Sequence, residues 1–401
     1  MRFSDVQHQQ RAVSLLRRSL RSGRTHHAYL FDGPPGVGKE LAARALAARL
    51  LCEGDGLPAD ADACGACRAC RLMAADNHPD YHLVHRGLLA FHPDRAVRQR
   101  SGLFLTVDVI RHFLIEPAAN APTLGRRRVF VLRDAERMNE QAQNALLKTL
   151  EEPPGSACLV LVTSAASRLL GTIRSRCQRV GFDFLPGAFV RQRLAEARVP
   201  SEQARLLAAL SQGSLGAALR WAQGRLLDDL EGVAELLSGA RLIHPEKSGE
   251  QMVEIARRLA LRLAQASATA DADADEDEAQ AEPDSDDGEA GAESDGRRAA
   301  GRVSERAVPT DQLRDALKLV LMLAATVFRE ALLHRVKAAG ALRAFERPPA
   351  VVETLSSRLS AGRLADALEA VGQCERMLDR NVAARLACER LCVAVLAETQ
   401  V

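Results

Sequence analysis

The segment GPPGVGKE, residues 33–40, constrains the fold of this chain more than any other stretch. It follows HAYLFDG, residues 27–33, which is typical of a short buried strand, and it precedes ELAARALAARLLC, residues 40–52, whose composition favours a helix. A strand, a glycine loop and a helix in this order predict a phosphate-binding loop in an α/β P-loop domain. Its phosphate-binding residues would be Gly33, Gly36, Gly38 and Lys39. A Gly/Pro turn before an amphipathic helix is the alternative.

The metal ligands expected beside such a loop are missing. Ser or Thr normally follows the loop lysine and holds Mg²⁺, but Glu40 stands in that position. A second, acidic ligand should end the next core strand, yet that strand ends on Arg133, and Asp134 comes one residue later, on the other face. The sequence therefore predicts that no catalytic Mg²⁺ is bound and that this site does not hydrolyse ATP. Glu40 and Arg133 have opposite charges, so we expect them to pair and to fill the metal position.

The sequence leaves two alternatives for this site: ATP binding without hydrolysis, and hydrolysis with other metal ligands. Lys39 could still bind ATP without turnover, and Glu40 is also favoured by the dipole at a helix N-terminus. Asp134 and Glu136 could act as unconventional metal ligands of an active ATPase.

Apolar runs in the first half of the chain alternate with helical segments. RRVFVLRD, residues 127–134, and ACLVLVTS, residues 157–164, are typical of buried strands, and NEQAQNALLKTLEEPP, residues 139–154, is typical of a helix. This alternation favours a parallel sheet with crossover helices. Strand signals fade after about residue 186, so we predict an all-helical second half.

An acidic stretch interrupts the helical half. DADADEDEAQAEPDSDDGEAGAESDG, residues 271–296, has no large apolar side chain and cannot bury enough surface to offset its ordering entropy. We predict a disordered insertion over residues 267–306. The 401 residues include 54 Lys plus Arg and 52 Asp plus Glu, so the overall charge favours no polyanionic partner. The longest apolar run, residues 317–328, is shorter than the roughly 18 residues of a membrane span, so we expect a cytoplasmic protein with no membrane contact.

Four of the nine cysteines lie close together in the sequence. Cys64, Cys67 and Cys70 form a C-x2-C-x2-C motif, and Cys52 follows the predicted helix of the glycine loop. Four thiolates suit tetrahedral Zn²⁺ with no open position, which predicts a structural zinc site. An iron–sulfur cluster and free thiols are the alternatives. No His-x-Glu motif accompanies the cysteines, which argues against a zinc-dependent enzyme that modifies nucleic acid.

Other candidate ligands follow or lie apart from this cluster. His78, His82 and His85 come soon after it and could compete for the metal, but four sulfurs suffice, so we predict surface or loop histidines. The remaining cysteines stand singly in apolar or helical stretches and are predicted core residues: Cys158, Cys177, Cys374, Cys388 and Cys392.

Several longer strings, in this order and spacing, carry a resemblance to a known family. They are HAYLFDGPPGVGK (27–39), the cysteine cluster, TVDVIR (106–111), RMNEQAQNALLKTLEEPP (137–154) and LLGTIRSRCQRVGF (169–182). Together they resemble the AAA+ proteins of the bacterial clamp loader of DNA polymerase III. The detailed resemblance ends at about residue 185, and the rest agrees only in its helical content and in the final NVAARLACERLCVAVL. The eroded metal site is similar to the members that do not hydrolyse ATP rather than to the gamma/tau members.

This resemblance implies a domain organisation and a set of partners. It implies an AAA+ P-loop domain over residues 1–184 with the zinc module at 52–70, a small helical lid domain over 185–228, and an all-α collar domain over 229–401. It also implies a heteropentameric ring with gamma/tau and delta subunits, a sliding clamp, and primer-template DNA reached through the complex.

The resemblance assigns a role to one arginine. Arg176, in the string SRC, matches the arginine finger of the family, which stabilises charge on the phosphates of ATP bound by the neighbouring subunit. From the residues alone, Arg174, Arg176 and Arg179 would form a solvated basic edge. Gly216 stands near the position where gamma-type members carry a second, nucleotide-sensing arginine. The expected function is therefore a scaffold subunit without ATPase activity of its own, and an active gamma/tau-like ATPase is the alternative.

Overall fold

The structure is a computed structural model that describes residues 2–99, 104–237, 244–276, 308–338, 345 and 349–396. These residues form two compact units. The first comprises Met1–Glu196 and Ser211–Ala218, and the second comprises Ala197–Leu210 and Leu219–Val401.

The first unit contains a five-stranded parallel sheet in the order β2-β3-β4-β1-β5. The strands are β1 Ala28–Asp32, β2 Tyr81–Val84, β3 Arg128–Leu132, β4 Ala157–Thr163 and β5 Gln178–Gly181. The central strand β4 is buried along its whole length, as expected for a parallel sheet that helices cover on both faces. The predicted parallel α/β sheet is confirmed, and each strand segment proposed from the apolar runs is present.

Helices connect these strands. They are α1 Gln10–Arg21, α2 Lys39–Leu51, α3 Arg68–Ala74, α4 Arg95–Arg98, α5 Val107–Ile110, α6 Glu116–Ala118, α7 Glu140–Glu151, α8 Gly171–Arg176 and α9 Gly187–Glu196. A π-helical turn, Arg111–Ile115, joins α5 to α6. The Asn139 side chain caps α7 by accepting a hydrogen bond from Ala142 N, and Pro153 follows soon after the helix ends.

The second unit is helical throughout the part of it that the structure describes. Its helices are α10 Ser201–Leu210, the last turns of α11 Leu215–Gln223, α12 Leu230–Leu237, α13 Pro245–Glu276, α14 Thr310–Arg335, α15 Ala350–Arg358, α16 Ala361–Asp379 and α17 Ala384–Leu396. Helix α13 packs against α14 and α17, and α16 packs against the same two helices. Leu317, Leu321, Ala324 and Phe328 line one face of α14 at helical spacing and are fully buried in this core.

The acidic segment differs in part from its prediction. Residues 267–276 continue α13 instead of beginning a disordered insertion, because the alanines in this stretch have the highest helix propensity. Residues 277–306 lie outside the described residues. The boundaries of the lid and collar domains stay predictions. In the described parts of the chain, no helix combines the length and the apolar content that a bilayer-spanning segment requires.

Candidate functional site

The glycine loop lies between the end of β1 at Asp32 and the start of α2 at Lys39. Gly36 has a φ of +68° and Gly38 a φ of +97°, both in the left-handed region that favours glycine. An alanine Cβ at position 36 would also lie only 2.5 Å from Ser214 Oγ. The strand, loop and helix therefore stand in the predicted order, and the loop conformation depends on its glycines.

The first turn of α11 contacts this loop within the first unit. The N–H of Gly216 donates a hydrogen bond of 3.0 Å to the carbonyl of Gly36, and a Cβ at position 216 would lie 3.1 Å from Gly36 Cα. Ser214 is buried beside this contact and accepts a hydrogen bond from Ala217 N. Glycine on both sides lets the two backbones approach closely, so no side chain from position 216 extends over the loop.

Lys39 is directed back onto the loop that precedes it. Its ammonium donates a 2.5 Å hydrogen bond to the carbonyl of Gly33 and another to the carbonyl of Pro34, and the residue is only 6% exposed. Burial lowers the pKa of Lys39, and the nearby carboxylates of Glu136 and Asp32 partly offset this effect. The loop carbonyls therefore satisfy the lysine that the sequence assigns to phosphate.

The predicted ion pair between Glu40 and Arg133 is confirmed. Arg133 Nη2 donates a hydrogen bond of 2.5 Å to Glu40 Oε1, which joins the first turn of α2 to the residue that follows β3. The backbone N–H of Arg133 also donates to the carbonyl of Val84 in β2, so the arginine backbone continues the sheet at the carboxyl ends of β2 and β3. The two residues that replace the expected magnesium ligands neutralise each other.

The two carboxylates that could rescue metal binding have different surroundings. Asp134 follows Arg133 in a left-handed conformation, with a φ of +53°. Glu136 accepts hydrogen bonds from the backbone N–H of Ser164 at 3.2 Å and from its hydroxyl at 2.5 Å. Burial alone would raise the pKa of Glu136, but the Ser164 hydroxyl bond and the other hydrogen bonds lower it. Glu136 is thus already engaged with the end of β4, while Asp134 stays exposed.

The three arginines of the predicted basic edge have unequal environments. Arg176 ends α8, and its Nη2 lies 2.6 Å from Glu151 Oε1 at the end of α7. Arg179, in β5, pairs with Asp32 at the end of β1. Arg174 is exposed and has no polar partner among the described side chains. The sequence grouped these residues by spacing, but the structure gives Arg176 and Arg179 acidic partners and leaves Arg174 without one among the described side chains.

The four predicted zinc ligands come together between α2 and α3. The Sγ atoms of Cys52, Cys64, Cys67 and Cys70 all lie within 4.8 Å of one another. Cys52 and Cys67 are 3.9 Å apart, and Cys64 and Cys70 are 3.8 Å apart, which is too long for a disulfide bond. Sulfurs about 2.3 Å from a tetrahedral Zn²⁺ are separated by about 3.8 Å, so this arrangement fits the metal.

Backbone N–H groups surround the same sulfurs. Ala66 and Cys67 donate to Cys64 Sγ, and they lower the pKa of this thiol to about 6. Cys67 Sγ accepts from Cys70 N, and Cys52 Sγ accepts from Cys64 N. Donors of this kind favour thiolates, which are the form that binds a metal.

The histidines after the cluster are not part of it. His78 lies in a loop but is buried, and its Nδ1 accepts a hydrogen bond from Asp80 N. His82 is a strand residue of β2 whose ring stacks on Phe130 at 4.6 Å, so its prediction as a surface or loop residue is wrong. The sequence did not indicate this strand because the run YHLV has only four residues and is half-buried. His85 lies in a loop and caps a 3-10 turn.

The single cysteines are core residues, as predicted. Every one of them is buried: Cys158, Cys177, Cys374, Cys388 and Cys392.

A parallel sheet whose first strand leads through a glycine loop into a helix defines the P-loop class of proteins. Residues 8–185 match the family model described as DNA polymerase III, delta subunit. The chain is 42% identical over 191 residues to DNA polymerase III subunit delta' of Pseudomonas aeruginosa, which covers 47% of this chain and 53% of that protein. It is 38% identical over 208 residues to subunit delta' of Escherichia coli K12, which covers 51% of this chain and 57% of that protein.

A second branch is also related. The chain is 34% identical over 223 residues to subunit tau of Escherichia coli K12, which covers 54% of this chain and 32% of that protein. The resemblance found in the sequence is thus confirmed, and over residues 8–185 the chain is similar to the delta' subunits of the DNA polymerase III clamp loader. The chain spans about half the length of the delta' relatives that it matches.

Two partners at the site could not be found from the sequence. Glu151 lies in the string LLKTLEEPP, but nothing in the string indicates that its side chain meets Arg176. Ser164 ends a predicted strand, and its hydrogen bonds to Glu136 depend on the folded arrangement of β3 and β4. The only indication in the sequence was that both residues lie at the ends of predicted elements, where the site residues of parallel sheets are commonly found.

Proposed function

We propose that this chain is the non-hydrolysing subunit of a DNA polymerase III clamp loader, which donates Arg176 to the ATP site of a neighbouring subunit and helps to load the sliding clamp on primed DNA. One observation carries the proposal: Glu40 and Arg133 stand in both magnesium-ligand positions and bind each other at 2.5 Å. A phosphoryl transfer of this class depends on Mg²⁺ to neutralise charge between the phosphates. An arginine at that place cannot coordinate the cation.

The rest of the pocket supports the same function. Lys39 donates to Gly33 and Pro34, and Glu136 accepts from Ser164, so both of these charged groups already have partners within this chain. Such a site needs rearrangement before it could hold a nucleotide and metal. We therefore expect no ATPase activity from the isolated chain, and nucleotide binding through Lys39 is not required for its role.

The cysteine cluster supports a structural zinc ion. Cys52, Cys64, Cys67 and Cys70 would hold Zn²⁺ with four sulfurs and leave no open position for a substrate. The ion would link the end of α2 to the start of α3 across residues 52–67, none of which is buried. Its contribution is therefore to folding and not to catalysis.

The proposed partners follow from the relatives. Subunits named delta' and tau belong to DNA polymerase III, and this chain resembles both, which supports a ring that contains gamma/tau and delta subunits. In that ring Arg176 would act as the finger in trans, since its side chain lies at the C-terminal end of α8 and is 34% exposed. The clamp and primer-template DNA would be reached through the whole complex.

The second candidate is an active ATPase of the gamma/tau type. The 34% identity to subunit tau, the presence of Lys39 and the exposed carboxylate of Asp134 favour it. It requires Asp134 to replace Arg133 as a metal ligand, and Arg133 would first have to leave Glu40.

Measurement of ATP hydrolysis separates the two. The purified chain is assayed alone and then together with gamma/tau and delta subunits, the clamp and primed DNA. We expect no turnover alone and a DNA-stimulated turnover in the mixture that Arg176→Ala lowers by about tenfold or more at the site it serves. Arg174→Ala, two residues away and unpaired, is the matched control and should leave turnover unchanged. Turnover by the isolated chain that disappears with Lys39→Ala would establish the ATPase instead.

A further inference from the structure

Arg176 is held from two sides by groups of its own chain. Its Nη2 lies 2.6 Å from Glu151 Oε1, and its Nη1 donates a hydrogen bond of 3.0 Å to the carbonyl of Thr172. Each contact uses a different terminal nitrogen, so together they fix the orientation of the planar guanidinium group. We propose that Glu151 is a positioning residue for Arg176, and this inference rests on the proposed function of Arg176 as a finger in trans.

The contacts leave Arg176 able to bind a phosphate. A guanidinium group has five N–H donors, and the two contacts with Glu151 and Thr172 use one terminal nitrogen each. The side chain of Arg176 is still 34% exposed. Glu151 therefore holds the group without covering it. A bidentate pair that engaged both terminal nitrogens would instead compete with the phosphate.

Hydrogen bonds connect the two helices that carry this pair. Gln143, in α7, is buried, and its Nε2 donates to the carbonyl of Arg168 while its Oε1 accepts a hydrogen bond of 2.8 Å from Leu170 N. These bonds attach the segment before α8 to α7, so the helix that carries Arg176 is fixed to the helix that carries Glu151. Gln143 sets the spacing of the two helices, and Glu151 then sets the direction of the arginine side chain.

The ion pair between Glu151 and Arg176 should contribute little to the stability of the fold. The Glu151 side chain is 47% exposed, and ion pairs with this exposure contribute little to folding. A flexible arginine loses much side-chain entropy when it binds a phosphate, and an arginine already held in one orientation loses less. The expected gain is thus in the rate of the reaction at the neighbouring site.

Two neighbouring residues provide matched controls. Glu152 is the next residue in the chain and is exposed, with no ion pair among the described residues. Arg174 is on the same helix as Arg176 and has no described partner. Replacement of Glu152 should leave the Arg176 side chain in place. Arg174 shows how an arginine without an acidic partner reacts.

The first part of the test measures the pair in the isolated full-length chain. Modification by phenylglyoxal, followed by peptide mass spectrometry, gives the reaction rate of each arginine. In the wild type, Arg176 should react several-fold more slowly than Arg174. Glu151→Ala should raise the Arg176 rate toward that of Arg174, Glu151→Gln should raise it less because the amide oxygen still accepts, and Glu152→Ala should not change it. Equal rates in the wild type and in Glu151→Ala would overturn the proposal.

The second part measures steady-state ATP turnover of the assembled clamp loader with DNA. Glu151→Ala should lower kcat roughly fivefold with little change in KM, Glu151→Gln should recover part of the loss, and Glu152→Ala should behave as the wild type. Unchanged or higher kcat for Glu151→Ala, in a complex that Arg176→Ala does slow, would overturn the positioning role and leave the proposed function intact. No effect of Arg176→Ala itself would overturn the proposed function, and the positioning role with it.

Discussion

Glu40 Oε1 accepts a 2.5 Å hydrogen bond from Arg133 Nη2, so the two residues at the sequence positions expected for metal ligands bind each other. The pair joins the first turn of α2 to the end of β3, which are the two elements that would each supply a magnesium ligand. A fixed internal ion pair keeps these elements together without a nucleotide.

The Glu40–Arg133 pair should be measurable as a coupling free energy. The two side chains are 32% and 41% exposed, so a double-mutant cycle of Glu40→Ala and Arg133→Ala should give a coupling of about 0.5–1 kcal/mol. Urea denaturation followed by circular dichroism measures it. The more exposed pair Arg193–Glu196 is the control and should give a smaller value. A coupling for Glu40 and Arg133 no larger than the control would show that the contact does not hold the site.

Because the glycine loop contacts α11, alanine substitutions at two nearby glycines should lower the unfolding free energy by different amounts. Gly36→Ala introduces both a left-handed alanine and a Cβ at 2.5 Å from Ser214 Oγ, so it should cost about 3 kcal/mol of unfolding free energy. Gly38→Ala is also left-handed but has no atom within 4 Å of its added Cβ, so about 1 kcal/mol is expected. Equal costs in urea denaturation would mean that α11 does not restrict the loop.

The cysteine cluster should bind one Zn²⁺ per chain by elemental analysis. Cys67→Ser removes one of four ligands and should release the metal and lower the melting temperature by about 5–10 °C in calorimetry. Cys177→Ala, at a buried cysteine outside the cluster, should keep the metal. Retention of zinc by Cys67→Ser would argue for free thiols, and a coloured, iron-containing protein would argue for an iron–sulfur cluster.

The sequence predicts some features of the fold and the candidate site and misses others. The sheet, the loop and the Glu40–Arg133 pair were predictable because strand periodicity and a fixed loop spacing determine which element ends meet. Glu151 and Ser214 were not, since no motif fixes their contacts, which depend on how α7, α8 and α11 pack. The helical residues 267–276 were missed because the charge of the segment suggested disorder, whereas its alanines favour the helix.

The stability of the first unit should depend on pH through His82. Burial lowers the pKa of His82, and the Arg128 guanidinium group lowers it further, so the folded chain binds a proton less readily than the unfolded chain. Well above its ordinary pKa of about 6.5 the histidine is neutral in both states and has no effect on stability. As the pH falls below that value the unfolded state takes up the proton first, and the unfolding free energy should fall by at most about 1.4 kcal/mol per pH unit.

His82→Phe tests this dependence, because phenylalanine preserves a ring stacked on Phe130 and cannot be protonated. Between pH 7 and pH 5 the variant should lose less unfolding free energy than the wild type in urea denaturation. Protonation of the cysteine cluster affects both proteins equally, so it cancels from the difference between them. His244→Gln, at an exposed histidine of the second unit, should follow the wild type. Parallel pH curves for wild type and His82→Phe would show that the buried ring takes up its proton as readily as an exposed one.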